Sequence, residues 1–495
     1  MNAYQELETI FRRIGALEEA EGILHWDMSV IMPAGGADSR AEQLAALKLT
    51  THGMLTEDRI GTLLDEAEAD PPVDAWPAAN LYEMRRQWRH ATAVEASLVE
   101  ALSKASSRCE MIWRDARPKG DFAAVAPALS DVLSLVRENA AAKAEAFGLS
   151  PYEALLDQNE PGIGVAEIDH LFDDLATFLP DFLQGVLDRQ LSGPAPQRLD
   201  GLFDIEAQRR LGTRLMSHVG FDFDHGRLDV SLHPFCGGVP DDVRITTRYH
   251  EEDFTQSLMG VLHETGHAMY ERGLPPDWRL QPVGQARGMA MHESQSLLIE
   301  MQVCRGQEFL SFATPLMREA FGADGAAWQP DNLYSLYTAV KPDFIRVDAD
   351  EVTYPAHVIL RYRLERALID GDMSIADLPA AWNAGMLELL DITPPSDREG
   401  CLQDIHWFDG AFGYFPTYTM GALAAAQLFA AATAADDTIR PAIARGDFAP
   451  LMTWLRANVH GKASLHSTDD ILSQATGAPL GTEAFKAHLQ SRYLH

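Results

Sequence analysis

"VLHETGHAMY" (residues 261–270) puts two histidines, His263 and His267, four positions apart, with Glu264 directly after the first. The surrounding segment, residues 253–276, opens with Asp253 as a capping residue and carries apolar Phe254, Leu258, Val261, Leu262 and Met269. It stops at Gly273, ahead of Pro275 and Pro276. That pattern predicts a helix. Four residues along a helix leave the two imidazoles about 40° apart around the axis and about 6 Å apart along it, a gap that one tetrahedral cation bridges. Glu264, turned by about 100°, can reach a water in the cation's open position without being a ligand, as a general base requires. H-E-x-x-H arises by accident about 0.04 times in a chain of this composition. The competing reading is an amphipathic helix whose two histidines are merely hydrogen-bonded.

A third ligand decides between them. Downstream, "GMAMHESQSLLIEMQ" (residues 288–302) has an apolar side of Met289, Leu297, Leu298 and Met301 and offers His292 and Glu293. The intervening loop holds Pro275, Pro276 and Pro282, so an antiparallel second helix would carry Glu293 back over the histidine pair. His263, His267 and Glu293 then form the ligand set of a catalytic zinc site with one position left for water. Zinc suits that set best, with cobalt or manganese as alternatives.

Elsewhere apolar residues recur at helical spacing, as in Ile10, Phe11, Ile14 and Leu17, and the chain reads as mainly α-helical. Pro and Gly cluster at residues 69–80, 191–201 and 393–400, which are loops. With 495 residues, 46% of them apolar, the expectation is a helical lobe over residues 1–195 and a catalytic lobe over 196–495 within one continuous unit. One stretch alternates instead. Leu228, Val230 and Leu232 would face Val243, Ile245 and Thr247 across "CGGVPD" (residues 236–241), as a small β-hairpin or three-stranded sheet just before the histidine helix. The uncharged run of residues 414–435 is rich in Ala, Thr and Gly, with Gln427 inside it, and predicts a tightly packed buried helix rather than a membrane span.

Lys and Arg total 40 against 73 Asp and Glu, a net charge of -33 that repels nucleic-acid phosphates and anionic lipid. Neither nucleic acid nor membrane is expected as a partner, and any anion must be held locally by arginines. Cys109, Cys236, Cys304 and Cys401 form no CxxC pair, which predicts a reducing, cytoplasmic setting. The first residues are charged throughout, unlike a secretory signal, so no export is expected.

A series of motifs resembles the carboxypeptidase Taq family of zinc metallocarboxypeptidases. In order they are Asp242, Arg244 and Thr246 in "DVRIT"; "HETGH"; "HESQS" with Glu293; Arg346, Asp348 and Asp350 in "IRVDAD"; and Gln403, Asp404, His406 and Trp407 in "GCLQDIHW". The stretches "HWDMSVIMP" (25–33), "PYEALLDQNEPG" (151–162) and "FGYFPTYTMGAL" (412–423) are similar to the family's as well. The resemblance implies an almost all-helical fold with a deep central groove, a homodimer, and removal of C-terminal residues from peptides with broad specificity.

On that reading a metal-activated water attacks the last peptide bond, and Glu264 takes its proton and passes it to the departing amine. His406 and Tyr418 are candidates to stabilise the oxyanion. Arg346 is the first choice for the substrate's terminal carboxylate, with Arg244 and Arg248, on one face of their strand, as alternatives. A structural ion pair with Asp242 or Asp348 is the competing fate of these arginines. Asp348 and Asp350 could hold the ligand histidines in their tautomers. The rival functions are an endo-acting or oligopeptide metallopeptidase and a non-catalytic helical peptide-binding scaffold.

Overall fold

A computed structural model describes residues 2–231 and 233–494. In chain order the N-terminal helices are α1 (Ala3–Val30), α2 (Ala37–Leu55), α3 (Asp58–Ala69), α4 (Ala75–Thr92), α5 (Ala96–Ala116), α6 (Phe122–Phe147), α7 (Pro151–Asn159), α8 (Val165–Ser192) and α9 (Ile205–Val219). Three strands follow, β1 (Gly226–Val230), β2 (Cys236–Val239) and β3 (Asp242–Thr247). Then come α10 (Thr255–Gly273), α11 (Met289–Leu297), α12 (Gln307–Phe321), α13 (Pro330–Tyr337), α14 (Tyr354–Asp370), α15 (Leu378–Leu390) and α16 (Pro416–Ala435). The chain ends with α17 (Ile439–Ile443), α18 (Ala449–Asn458), α19 (Thr468–Thr476) and α20 (Glu483–Tyr493). The mainly α fold with a small three-stranded sheet is as the sequence predicts. The loop expected over residues 69–80 is shorter, because α4 starts at Ala75 and takes Pro77 into its first turn, where a missing N–H costs nothing.

The sheet corrects the expected hairpin. β1 and β3 do pair, Leu228 beside Ile245 and Val230 beside Thr247, but they run parallel. The hairpin is made by β2 and β3, with Cys236 beside Ile245 and Val239 beside Asp242. The "CGGV" run read as the turn is itself a strand, since Gly238 at φ +85 and close under the Asp242 carbonyl supplies the bend that only glycine fits there. Leu232, expected in that hairpin, lies outside the described residues.

One apolar core takes residues from both sides of the loop at 191–201, from Cys109 to Tyr493. A second, smaller cluster joins Leu7, Phe11, Ile60, Leu63, Leu64, Ala67, Leu81 and Met84 of α1, α3 and α4. At the centre of the main core α11 lies between α10 and α16. Close approach there depends on two glycines. A Cβ on Gly266 of α10 would stand 2.4 Å from the Gln295 carbonyl oxygen, and one on Gly421 of α16 would stand 2.7 Å from Cβ and Cγ of Glu293. The uncharged run at 414–435 therefore forms an interior helix, with Met420, Leu423, Ala425 and Leu428 fully buried, each large side chain worth about 1.5–3 kcal/mol.

Candidate metal centre

α10 forms where the spacing predicts. Asp253 Oδ1 accepts from the Thr255 N–H at 2.8 Å, and beyond Gly273 the chain turns extended at Leu274. α11 starts after Gly288, at φ +56, and Glu160 Oε2 accepts from the Ala290 N–H at 2.8 Å. The two helices run antiparallel, so that His263 meets Glu300 and Glu271 meets His292. The second helix does not continue as α-helix to residue 302. Leu298–Cys304 is a π-helical turn, and Arg492 of α20 donates to two of its carbonyls, Met301 O at 2.5 Å and Gln302 O at 3.1 Å. This wide turn carries Glu300 to the histidine pair, in keeping with the usual place of such turns at working sites.

His263, His267 and Glu293 each offer a ligand atom within 4.8 Å of the others. Glu293 Oε2 lies 3.4 Å from His267 Nε2 and 4.0 Å from His263 Nε2, and the two rings stand nearly perpendicular with centroids 5.0 Å apart. The outward nitrogens are already engaged. His263 Nδ1 is 2.9 Å from Glu300 Oε2, and His267 Nδ1 is 2.6 Å from His292 Nδ1. Two imidazole Nε2 atoms and one carboxylate oxygen, converging with their other faces occupied, are a donor set that fits a divalent ion such as zinc. Glu264, 7% exposed, lies beside them.

The field at His263 favours positive charge. Burial pulls His263 down, but the hydrogen bond to Glu300 and the charges of Glu293, Glu300 and Glu264 outweigh it and push the imidazole up to about 10. His267 goes the other way, down to about 4, chiefly through burial. Burial pushes Glu264 up to about 7, against the pull of His263. Burial would raise Glu300 too, but Arg305, 2.6 Å away, and His263 draw it down to about 2.

The other anticipated residues fall into two places. His406 Nε2 lies 3.2 Å from the Tyr418 oxygen, and the Arg346 guanidinium sits 4.8 Å from the centre of the Tyr418 ring. Burial pushes the Tyr418 phenol up to about 12, with Arg346 pulling it down and Glu293 adding to the rise. Arg346 is paired, with neither Asp242 nor Asp348, but with Asp404, through Nε at 3.1 Å and Nη2 at 2.8 Å; Nη1 reaches the Tyr354 oxygen at 3.3 Å. Arg244 is held by Asp242, Nη2 to Oδ2 at 2.5 Å, and lies over the Trp26 ring. Arg248 is exposed just past the end of β3.

Asp348 and Asp350 do not pair with His263 or His267. Asp350 accepts backbone N–H groups of Lys341, Val352 and Thr353, and Asp348 accepts from Gln256. Glu300 and His292 take that position instead. The spacing of Glu300, seven residues after Glu293 and so two helical turns on, was the available signal. Arg361, whose Nε donates to Asp404 at 2.7 Å, carried no signal in its neighbourhood of sequence.

Comparison with known proteins agrees with this geometry. The family model described as Carboxypeptidase Taq (M32) metallopeptidase matches residues 6–493. The chain is 39% identical over 509 residues to thermostable carboxypeptidase 1 of Thermus thermophilus, covering 99% of this chain and 98% of the relative. It is 33% identical over 498 residues to carboxypeptidase 1 of Bacillus subtilis, covering 99% and 97%. Among solved structures, metallocarboxypeptidase 1 of Trypanosoma cruzi superposes with a TM-score of 0.97 at 38% identity, covering 100% of this chain and 99% of that one.

Proposed function

The chain belongs to the carboxypeptidase Taq (M32) family and is a metallocarboxypeptidase, and from that premise we propose that His263, His267 and Glu293 hold its divalent ion, with Glu264 as general base. The convergence of the three donors within 4.8 Å carries this reading. Zinc is the ion that best suits two imidazoles and a carboxylate, with cobalt or manganese as substitutes. When bound, the ion supplies Lewis-acid polarisation of the scissile carbonyl and lowers the pKa of water toward about 7.

The chain's own residues do the rest. Glu264, buried and without a hydrogen-bond partner among the described residues, takes a proton from the attacking water and returns it to the leaving amine. His406 is held neutral, its pKa drawn down to about 4 by burial, and its Nδ1 has no partner among the described residues. A buried unpaired N–H costs more than an unpaired lone pair. The proton therefore sits on Nε2, which donates to the Tyr418 oxygen and frees the phenol O–H to donate to the oxyanion. Arg346, beneath Tyr418, offers its remaining Nη hydrogens to the substrate's terminal carboxylate; Arg244 and Arg248 lie with the strand and are second choices.

The substrates are peptides with a free C-terminus, taken with broad specificity by a cytoplasmic homodimer that binds neither nucleic acid nor membrane. The surplus of negative charge supports the last point. A defined peptide and its C-terminally amidated twin test the proposal, followed by time-resolved mass spectrometry. A ladder shrinking from the free C-terminus, absent in the twin, is expected; internal cuts, or equal cleavage of both, would overturn it.

A further inference from the structure

We propose that His292 is a positioning residue which, together with Glu271, sets the tautomer of His267 and thereby the strength of the metal site; this rests on the assignment of His267 as a ligand. His292 precedes Glu293 and is turned by about 100° from it around α11, toward α10. There it meets two residues one helical turn apart, its Nδ1 lying 2.6 Å from His267 Nδ1 and its Nε2 lying 2.8 Å from Glu271 Oε1.

The order of the protons follows from the far end. The Glu271 carboxylate only accepts, so His292 Nε2 carries a hydrogen. In the neutral ring His292 Nδ1 is then a lone pair. Two lone pairs 2.6 Å apart would repel, so His267 Nδ1 carries the hydrogen between them. His267 Nε2 is left as a lone pair, on the side where Glu293 Oε2 stands 3.4 Å away. His292 is no ligand, because both its nitrogens are engaged on the opposite side of the His267 ring.

The two ligand histidines are thus held by different means. His263 donates straight to a carboxylate, Glu300. His267 donates to an imidazole whose own orientation is held by a carboxylate. Without Glu271, His292 can turn its hydrogen to Nδ1, which forces the His267 hydrogen onto Nε2 and blocks that donor.

The test uses the full chain, stripped of metal and titrated with Zn²⁺ against a chromogenic chelator, and with Co²⁺ followed by visible absorption. His292→Leu keeps an apolar side chain against Tyr270 but removes the acceptor, and should weaken Zn²⁺ binding about 10–100-fold with an altered cobalt spectrum. His292→Asn restores a carbonyl acceptor and should stay within about threefold of wild type. Glu271→Ala, which leaves His292 in place, should weaken Zn²⁺ binding in the same direction and covers the case in which His292→Leu fails to fold. Wild-type affinity and spectrum in both His292→Leu and Glu271→Ala would sink the proposal. So would a loss in His292→Asn as deep as in His292→Leu, which would mean that shape alone matters. If the wild-type chain itself takes up no Co²⁺ at one ion per chain, the ligand assignment fails, and the relay with it.

Discussion

Two buried charge clusters, one around His263 and one around Asp404, are assembled from distant segments and end in opposite states. Asp404 accepts from two arginines at once, Arg346 Nη2 at 2.8 Å and Arg361 Nε at 2.7 Å, so one carboxylate meets two guanidiniums. Burial acts to raise the Asp404 carboxyl, but the two cations outweigh it and hold it far below the usual carboxylate range. Around His263 and His267 carboxylates predominate. Three carboxylates, Glu264, Glu293 and Glu300, face two imidazoles, and Arg305 pairs with Glu300 alone. The first cluster carries spare positive charge beneath Tyr418, where the substrate's carboxylate is proposed to sit. The second gathers carboxylates around two imidazoles, and their charge keeps a proton on His263, held up at about 10. Which groups outnumber their counter-charges, rather than how many charges are present, separates the two clusters.

The largest effect should come from Glu264→Gln, which removes one carboxylate from the acidic cluster without removing a ligand. Its kcat should fall by about 10²–10⁴ while metal analysis still finds one ion per chain. Loss of the ion together with activity would show that Glu264 acts in binding rather than as the base.

Asp404→Asn attacks the other cluster. It leaves two buried guanidiniums without their counter-charge and should cost about 3–5 kcal/mol in denaturant unfolding. Zn²⁺ affinity should stay near that of wild type, since Asp404 touches no ligand; a parallel fall in affinity would join the two clusters into one.

Gly421→Ala sharpens the contrast by pressing on the metal centre alone. The new methyl would meet Glu293 Cβ and Cγ at 2.7 Å, so about 1–3 kcal/mol of stability and part of the metal affinity should be lost together. Unchanged affinity would mean that α16 gives way instead of the ligand.

The smallest effect concerns Glu351, which is buried against Arg492 and His488 at the foot of the π-helical turn. Burial would raise it, yet those cations hold it down at about 2, below its ordinary 4.5. A depressed carboxylate contributes stability above its unfolded value and loses it as pH falls through the folded one. Glu351→Gln should therefore lack a component that wild type keeps above pH 4.5 and loses between about 4.5 and about 2, and the two stability curves should converge across that window. Parallel curves throughout would remove Glu351 from the account of acid stability.

Much of the centre was legible because it is local. His263 and His267 share a face by helix geometry, Glu264 follows from its place between them, and the apolar run around Met420 announced a buried helix. The sheet was misread where a glycine-rich strand looks like a turn, since Gly237 and Gly238 carry no alternation to read. The partner of Arg346 was not legible because Asp404 lies 58 residues away, and no periodicity spans such a distance.

By itself, then, the sequence determined the helix that presents two imidazoles on one side, the carboxylate that follows within the next helix, and the excess of acid. Those are consequences of 3.6 residues per turn and of composition, which hold wherever the segment lies. Tertiary structure alone decided that Glu300 and His292 stand behind His263 and His267, that Arg346 and Arg361 share Asp404, and that Gly266 and Gly421 admit α11 between its neighbours. Such pairings depend on how helices far apart in the chain are packed, and packing is fixed by the summed fit of many side chains rather than by any one stretch.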